Sequence, residues 1–174
     1  MKIVSLVLAA ATLIATPALV SAQTLSPVTT YGSIDYSLLD QGNANLGAVQ
    51  ARLGARFGPY VGIEGEIAGG VKADTITVGG TNYHIGLRDQ AAAYGVAYWP
   101  ISPKFDLLAR IGYGNSDVHS AAPGVGGGSV NYGAGAQYFF NGKDGIRFDY
   151  TRYDFQHTGS TDSNVWSLGY TRRF

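Results

Sequence analysis

The residues Trp166 to Phe174 constrain the fold more than any other part of this chain. Trp166, Leu168, Tyr170 and Phe174 share one parity, and Ser167, Gly169, Thr171 and Arg173 share the other. Side chains of a strand alternate between two faces, so this segment has one apolar face and one polar or small face. The last residues of a water-soluble domain tend to be polar and to fray. An apolar face carried through to an aromatic end is instead the pattern of a strand with lipid on one side. Arg172 alone breaks the parity.

The opposite end gives a matching expectation. Lys2 precedes an apolar run, Ile3 to Leu8, followed by small and apolar residues up to Val20-Ser21-Ala22. A charged start, an apolar middle and a small-residue close make a secretory signal peptide over residues 1–22, cleaved after Ala22, with the mature domain over 23–174. Pro17 interrupts the run and weighs against a membrane-anchoring helix. No later stretch offers the ~18 consecutive apolar residues that a spanning helix needs. A chain that nonetheless crosses a bilayer must do so as a closed barrel, because lipid cannot hydrogen-bond an open sheet edge.

Composition removes further classes. The chain has no cysteine, which excludes disulfide frameworks and thiol chemistry. Its 12 basic residues balance 12 acidic ones, so there is no electrostatic case for binding nucleic acid.

Alternating segments separated by turn residues predict an all-β, up-and-down meander of eight strands. Tyr31–Leu39 sets Ile34, Tyr36 and Leu38 against Ser33, Asp35 and Ser37. Leu46–Phe57 sets Val49, Leu53 and Phe57 against Gln50, Arg52 and Arg56. Tyr60–Gly70 sets Val61, Ile63 and Ile67 against Glu64 and Glu66. A fourth strand ending near Trp99 carries Tyr94, Val96 and Tyr98 on one face and Ala93, Gly95 and Ala97 on the other. Its start around Arg88-Asp89-Gln90 breaks the alternation and suggests a bulge. Lys104–Gly114, Val130–Phe140, Gly145–Phe155 and the C-terminal segment complete the set.

The connections alternate in length. Gly58-Pro59, Pro100–Pro103 and Asn141–Gly145 are short, whereas 40–45, 71–83, 115–128 and 157–164 are longer and rich in Gly, Ser, Thr and Asn. Outer-membrane barrels show this arrangement, with the short turns on the periplasmic side. The chain resembles the small OmpA/OmpX-type barrels, and more closely the porin-like outer-membrane barrel proteins of proteobacteria. The resemblance spans the whole mature chain and is carried by the Tyr-Gly strand openings, by Tyr150-Thr-Arg-Tyr-Asp-Phe155 and by Gly169-Tyr-Thr-Arg-Arg-Phe174. It implies that Trp166, Leu168, Tyr170 and Phe174 form an assembly signal, although Arg172 stands third from the end, where that signal usually has an apolar residue. It also implies an outer-membrane location, outer-membrane lipid, lipopolysaccharide, periplasmic chaperones and the barrel assembly machinery as partners, and a monomer.

Charged strand residues fall opposite the apolar stripe. Asp35, Arg52, Arg56, Glu64, Glu66, Asp106, Arg110, Arg147, Asp149 and Arg173 all read as pointing into the barrel. An unpaired charge in a narrow lumen is costly, so an Arg–carboxylate network is expected. An eight-stranded barrel is just wide enough for its own side chains, which favours a structural plug over a solute pathway. Phe57, Tyr60, Tyr98, Trp99, Phe105, Tyr138, Phe140 and Phe174 sit near the short turns and suggest an aromatic girdle at the membrane surface.

One stretch hints at catalysis. His157 and Ser160, beside Asp154 and Asp162, faintly resemble the His and Ser of outer-membrane lipid A deacylases, but the Asn expected there is missing, and Gly159-Ser160 also reads as turn filler. His84 and His119 stand alone in expected loops, so no metal site is predicted, and no cofactor motif is present. Gly124–Gly128 lacks the Lys-Ser/Thr of a phosphate loop and reads as a loop. The leading expectation is a non-enzymatic barrel with a role in envelope integrity or surface interaction. The alternatives are a lipid A-modifying enzyme, a narrow porin, or a secreted, lipocalin-like soluble barrel with its apolar residues turned inward. Fractionation separates the last of these: the protein should require detergent for extraction and migrate differently on gels before and after heating. Recovery as a detergent-free periplasmic protein would contradict the membrane reading.

Overall fold

The structure is a computed structural model that describes residues 27–40, 45–78, 81–119, 126–156 and 162–174. The expected signal peptide, 1–22, lies outside the described residues. Among the described residues there are nine strands: β1 (Val28–Asp40), β2 (Asn45–Phe57), β3 (Val61–Lys72), β4 (Asp74–Val78), β5 (Thr81–Ser102), β6 (Phe105–His119), β7 (Gly126–Phe139), β8 (Asp144–Phe155) and β9 (Ser163–Arg173). Eight of them, all but β4, form one antiparallel meander in which each strand pairs with its sequence neighbours and β3 pairs directly with β5.

The first and last strands close the ring. β1 pairs β9 from Tyr31↔Arg173 to Asp40↔Asn164 while its other edge pairs β2 along its whole length. The Phe174 amide donates to the Thr30 carbonyl at 2.9 Å, and the Arg173 amide donates to the Lys143 carbonyl at 2.8 Å. The C-terminal strand is therefore held on both sides, and no barrel edge is left for lipid to satisfy.

The barrel is inside-out relative to a soluble protein. Ile34, Leu53, Ile63, Leu107, Ile111, Phe148 and Leu168 face outward and are exposed, whereas the charged strand residues are buried in the lumen. This is the reverse of a lipocalin-like core. At the short-turn end, Phe57, Tyr60, Trp99, Tyr138, Phe140 and Phe174 face outward as a girdle, with Trp99 70% exposed. Tyr98 does not join them: it is 4% exposed and points into the lumen. On β5 the bulky Tyr94, Val96 and Tyr98 are buried inside, and Ala93, Gly95 and Ala97 face the lipid.

Two connections differ from the sequence expectation. Residues 71–83 are mostly strand, because β4 pairs with the first residues of β5 from Asp74↔Ile85 to Val78↔Thr81. Likewise 115–128 is not one long loop: β6 and β7 stay paired out to Asp117↔Gly126, and Gly126 to Gly128 are strand residues. His84 and His119 thus lie on strands, not in loops. The irregularity expected near Arg88 is real: the β5–β6 register shifts between Leu87 and Asp89.

The turn between β7 and β8 shows how the short connections are fixed. The Asn141 side-chain carbonyl accepts from the amides of Lys143 at 3.0 Å and Asp144 at 2.7 Å, the usual way that Asn stabilises a turn. The Asp144 carboxylate receives the Tyr170 hydroxyl, the Asn141 amide at 2.9 Å and Arg172 Nη1 at 3.1 Å.

Deleting Tyr170–Phe174, or replacing Phe174 by Asp, removes the last rungs of the β1–β9 ladder or its aromatic end and exposes strand edges. The variant should be lost from the outer-membrane fraction and degraded or retained in the periplasm, as read by immunoblot of cell fractions. Normal insertion of the truncated chain would show that closure does not depend on this segment.

Candidate functional site

The lumen holds the only dense set of chemically active side chains among the described residues. Strand parity puts them there. Asp35 of β1, Arg52 and Arg56 of β2, Glu64 and Glu66 of β3, Asp106 and Arg110 of β6, and Arg147 and Asp149 of β8 all occupy inward positions and are buried. Every one of these was assigned to the interior from alternation alone.

They form two layers. In the middle layer, Arg52 Nε lies 2.7 Å from Glu66 Oε2 and Arg52 Nη1 lies 2.8 Å from Asp149 Oδ2. Arg110 Nη2 lies 2.6 Å from the same Glu66 oxygen, with Nη1 3.6 Å from Glu64. Arg147 grips Glu64 with both terminal nitrogens and meets Asp149 through Nε at 2.9 Å. Asp35 is the least served, with Arg52 Nη1 at 3.4 Å and a hydrogen bond from the Ser33 hydroxyl at 2.7 Å. Near the short turns a second layer gathers on Asp106, whose Oδ2 meets Arg56 at 3.0 Å, Arg173 at 2.7 Å and the Gln137 amide at 2.9 Å.

Neutral side chains that the sequence reading did not single out complete the network. The Tyr31 hydroxyl donates to Glu64 at 2.7 Å and accepts from the Tyr98 hydroxyl at 2.6 Å. The hydroxyls of Tyr94 and Tyr153 donate to Glu66 at 3.2 and 3.3 Å, and the Gln90 amide donates to Tyr153 at 2.8 Å. The Arg110 guanidinium lies 3.7 Å from the centre of the Tyr94 ring, a cation–π contact that covers part of its surface. The signal for Tyr94 and Tyr98 was their alternation with Ala93, Gly95 and Ala97. Large side chains can face inward only if the small ones face out.

Close packing requires glycine at two positions beside the network. A Cβ on Gly54 would lie 2.3 Å from the Tyr31 ring, which crosses β2 to reach Glu64. A Cβ on Gly169 would lie 2.4 Å from Asp35 Oδ1. Both glycines clear space for network members.

Above the ionic layers, toward the long connections, the lumen turns apolar. Leu39, Leu46, Ala48, Ala68, Leu87, Phe155 and Val165 pack together there with Tyr153. Leu87 reaches this cluster because the register shift beside it reverses the parity of β5. The lumen is thus filled by charge in its middle and closed by hydrocarbon at one mouth.

The residues proposed as an assembly signal lie on the lipid face: Trp166, Leu168, Tyr170 and Phe174 are all exposed. His157 and Ser160 lie outside the described residues. Of the two acids beside them, Asp162 pairs with Arg152 at the barrel rim and Asp154 is exposed.

An inside-out, closed, eight-stranded sheet around a buried ionic core defines a transmembrane β-barrel. The family model described as outer membrane protein beta-barrel domain matches residues 6–174, and the chain belongs to that family of the outer membrane. No curated protein sequence matches it. Among solved structures it is similar to Ail, the attachment invasion locus protein of Yersinia pestis, crystallised with the heparin analogue sucrose octasulfate: 17% identity, TM-score 0.54, covering 84% of this chain and 97% of that one. Neisserial surface protein A matches with 11% identity and TM-score 0.58, over 87% of this chain and 100% of that one. The N-terminal barrel domain of Pseudomonas aeruginosa OprF matches with 8% identity and TM-score 0.53, over 87% and 100%. At these identities the likeness is one of fold.

The network ranks its members. Removing Arg110 leaves Glu66 with Arg52 and Glu64 with Arg147, whereas removing Arg147 leaves Glu64 with no cation nearer than Arg110 at 3.6 Å. Arg147→Gln should therefore cost about 3–5 kcal/mol, the range for stripping one partner from a buried pair, and Arg110→Gln less. Urea titration of the folded barrel in detergent or lipid reads the difference. Equal stability of both variants and the parent would show that the network contributes nothing to holding the barrel.

Proposed function

We propose that this protein is a closed, non-enzymatic scaffold of the outer membrane that maintains the envelope and carries surface-exposed strand extensions. The filled lumen carries this reading. The ionic layers and the apolar cluster occupy the interior from the short turns to the far mouth, and an eight-stranded barrel has no further width to offer a solute. In this reading the nine charged lumen residues form a structural plug that fixes strand register, and Trp166, Leu168, Tyr170 and Phe174 present the chain to the barrel assembly machinery after chaperone-guided transit.

The wall supplies the surface role. About ten tilted residues suffice to cross a bilayer, yet β5 has 22, and with β4, β6 and β7 it extends the sheet well past the apolar band. Function concentrates on such rigidly held extensions and on the connections between them, which makes 71–83 and 115–128 the contact regions. The co-crystallised heparin analogue of Ail is a polyanion, and this chain does not favour one. Its extracellular end carries Lys72, Arg88 and Arg152 against Asp40, Asp74, Asp89, Asp117, Asp154 and Asp162, and the connecting residues 41–44, 79–80, 120–125 and 157–161 contain no Lys or Arg. A partner of neutral or cationic character, or lipopolysaccharide through bridging cations, fits this surface better.

The test is one purified sample in lipid vesicles, assayed for ion conductance and for lipid A deacylation. Neither activity is expected. Steady conductance would overturn the plug in favour of a narrow porin, and release of acyl chains that is lost in His157→Ala and Ser160→Ala would restore the deacylase reading.

A further inference from the structure

The two rims of the barrel are oppositely charged. The end bearing the short turns holds the side chains of Arg56, Lys104, Lys143, Arg172 and Arg173 against only those of Asp106 and Asp144, a side-chain charge of +3. Four of the five cations are contiguous. The Phe139 amide donates to the Lys104 carbonyl at 2.8 Å, which ties the β5–β6 turn to the β7–β8 turn, and the Arg173 amide donates to the Lys143 carbonyl at 2.8 Å, which ties that turn to the end of β9. Lys104, Lys143, Arg172 and Arg173 therefore follow one another along a single arc of the rim. The carboxylates do not neutralise it. Asp106 is shared by two arginines and Asp144 pairs with Arg172, while the ammonium groups of Lys104 and Lys143 have no ion-pair partner among the described residues and are exposed.

The depth of the arc identifies its ligand. Lys104 precedes Phe105 and lies beside the turn that follows Trp99. Lys143 is three residues beyond Phe140, and Arg172 lies between Tyr170 and Phe174. Trp99, Phe140, Tyr170 and Phe174 all face the lipid, and aromatic girdles mark the boundary between hydrocarbon and headgroups. Cations one step beyond such a girdle stand at the level of lipid phosphates, not of a distant polymer. We propose that Lys104, Lys143 and Arg172 bind the phosphate of anionic phospholipid headgroups in the leaflet that faces the short turns. The two lysines supply the unneutralised charge and Arg172 lies beside them, while Arg173 turns inward onto Asp106 and Phe139. Among the described residues nothing comparable lies on the other half of this rim, where the Gly58-Pro59-Tyr60 turn carries no charge and Arg56 is paired with Asp106. The lipid should therefore bind along one side of the barrel.

The experiment is native mass spectrometry of the mature, folded protein released from vesicles of phosphatidylcholine and phosphatidylglycerol in equal parts. The parent should retain phosphatidylglycerol over phosphatidylcholine by about thirtyfold, in line with the pull of two unpaired surface cations on an anionic leaflet. Lys104→Gln/Lys143→Gln, at exposed turn positions, should lose most of that preference, and Lys72→Gln/Arg88→Gln, at the opposite rim, should keep it. No preference in the parent, an unchanged preference in the turn variant, or equal loss in both double variants would overturn the proposal, as would binding to purified cell-wall glycan in place of phosphatidylglycerol. Heat-modifiable migration of the same samples reads the barrel separately, so a folded barrel without lipid preference refutes the arc and leaves the fold intact.

Discussion

Glu66 is fully enclosed by protein, and its two oxygens receive Arg52, Arg110, Tyr94, Tyr153 and Gln90. A carboxylate can be kept there only if nearly every direction around it holds a donor. These donors come from β2, β5, β6 and β8, so satisfying one group fixes four strands relative to one another. The lipid side adds no such specificity, because one apolar side chain against acyl chains is nearly as good as another. What holds the register of this barrel is therefore inside it, and the small outward residues of β5 and the inward glycines follow from the space the network takes.

Most of the fold was legible because alternation is a two-state signal. Once one charged residue on a strand is assigned to the lumen, every second residue follows, and Arg52, Glu64, Arg147 and Asp149 came out on the correct side without any knowledge of their partners. Tyrosine defeats this logic. Its ring suits a lipid girdle and its hydroxyl suits a polar lumen, so Tyr98 was placed in the girdle although it belongs with Tyr31 and Arg56, whose guanidinium lies 4.2 Å from the centre of its ring. On β5 no charged residue marks the inner face between Gln90 and Trp99, which left only side-chain size to decide.

The remaining differences arise where the period fails. The shift at Leu87 reverses parity, so the inward apolar cluster at the far mouth did not show as a continuous stripe in the sequence. Residues 71–83 read as a loop because Gly, Thr and Asn are frequent there, yet Thr75-Ile76-Thr77-Val78 alternates and Gly79-Gly80 is a hairpin signal between two runs. Composition pointed to a loop where pattern pointed to strands, and the pattern was the better guide. Arg52 meets Glu66 because the β2–β3 hairpin register sets the two opposite each other. Pairing across the lumen, by contrast, had no signal in the sequence: that Arg52 also meets Asp149 of β8 depends on how far the strands tilt as the sheet closes.

The pairing of β1 with β9 brings together residues from the two ends of the barrel, such as Ser33 and Thr171. The other neighbours in the barrel wall are joined through hairpins or, for β3 and β5, through the β4 excursion, so this seam carries the largest entropy of loop closure. Until it forms, β1 and β9 each present an unpaired edge and an apolar face. Because β9 seals the ring, adding hairpins one after another cannot complete the wall: the two edges have to meet before the native topology exists.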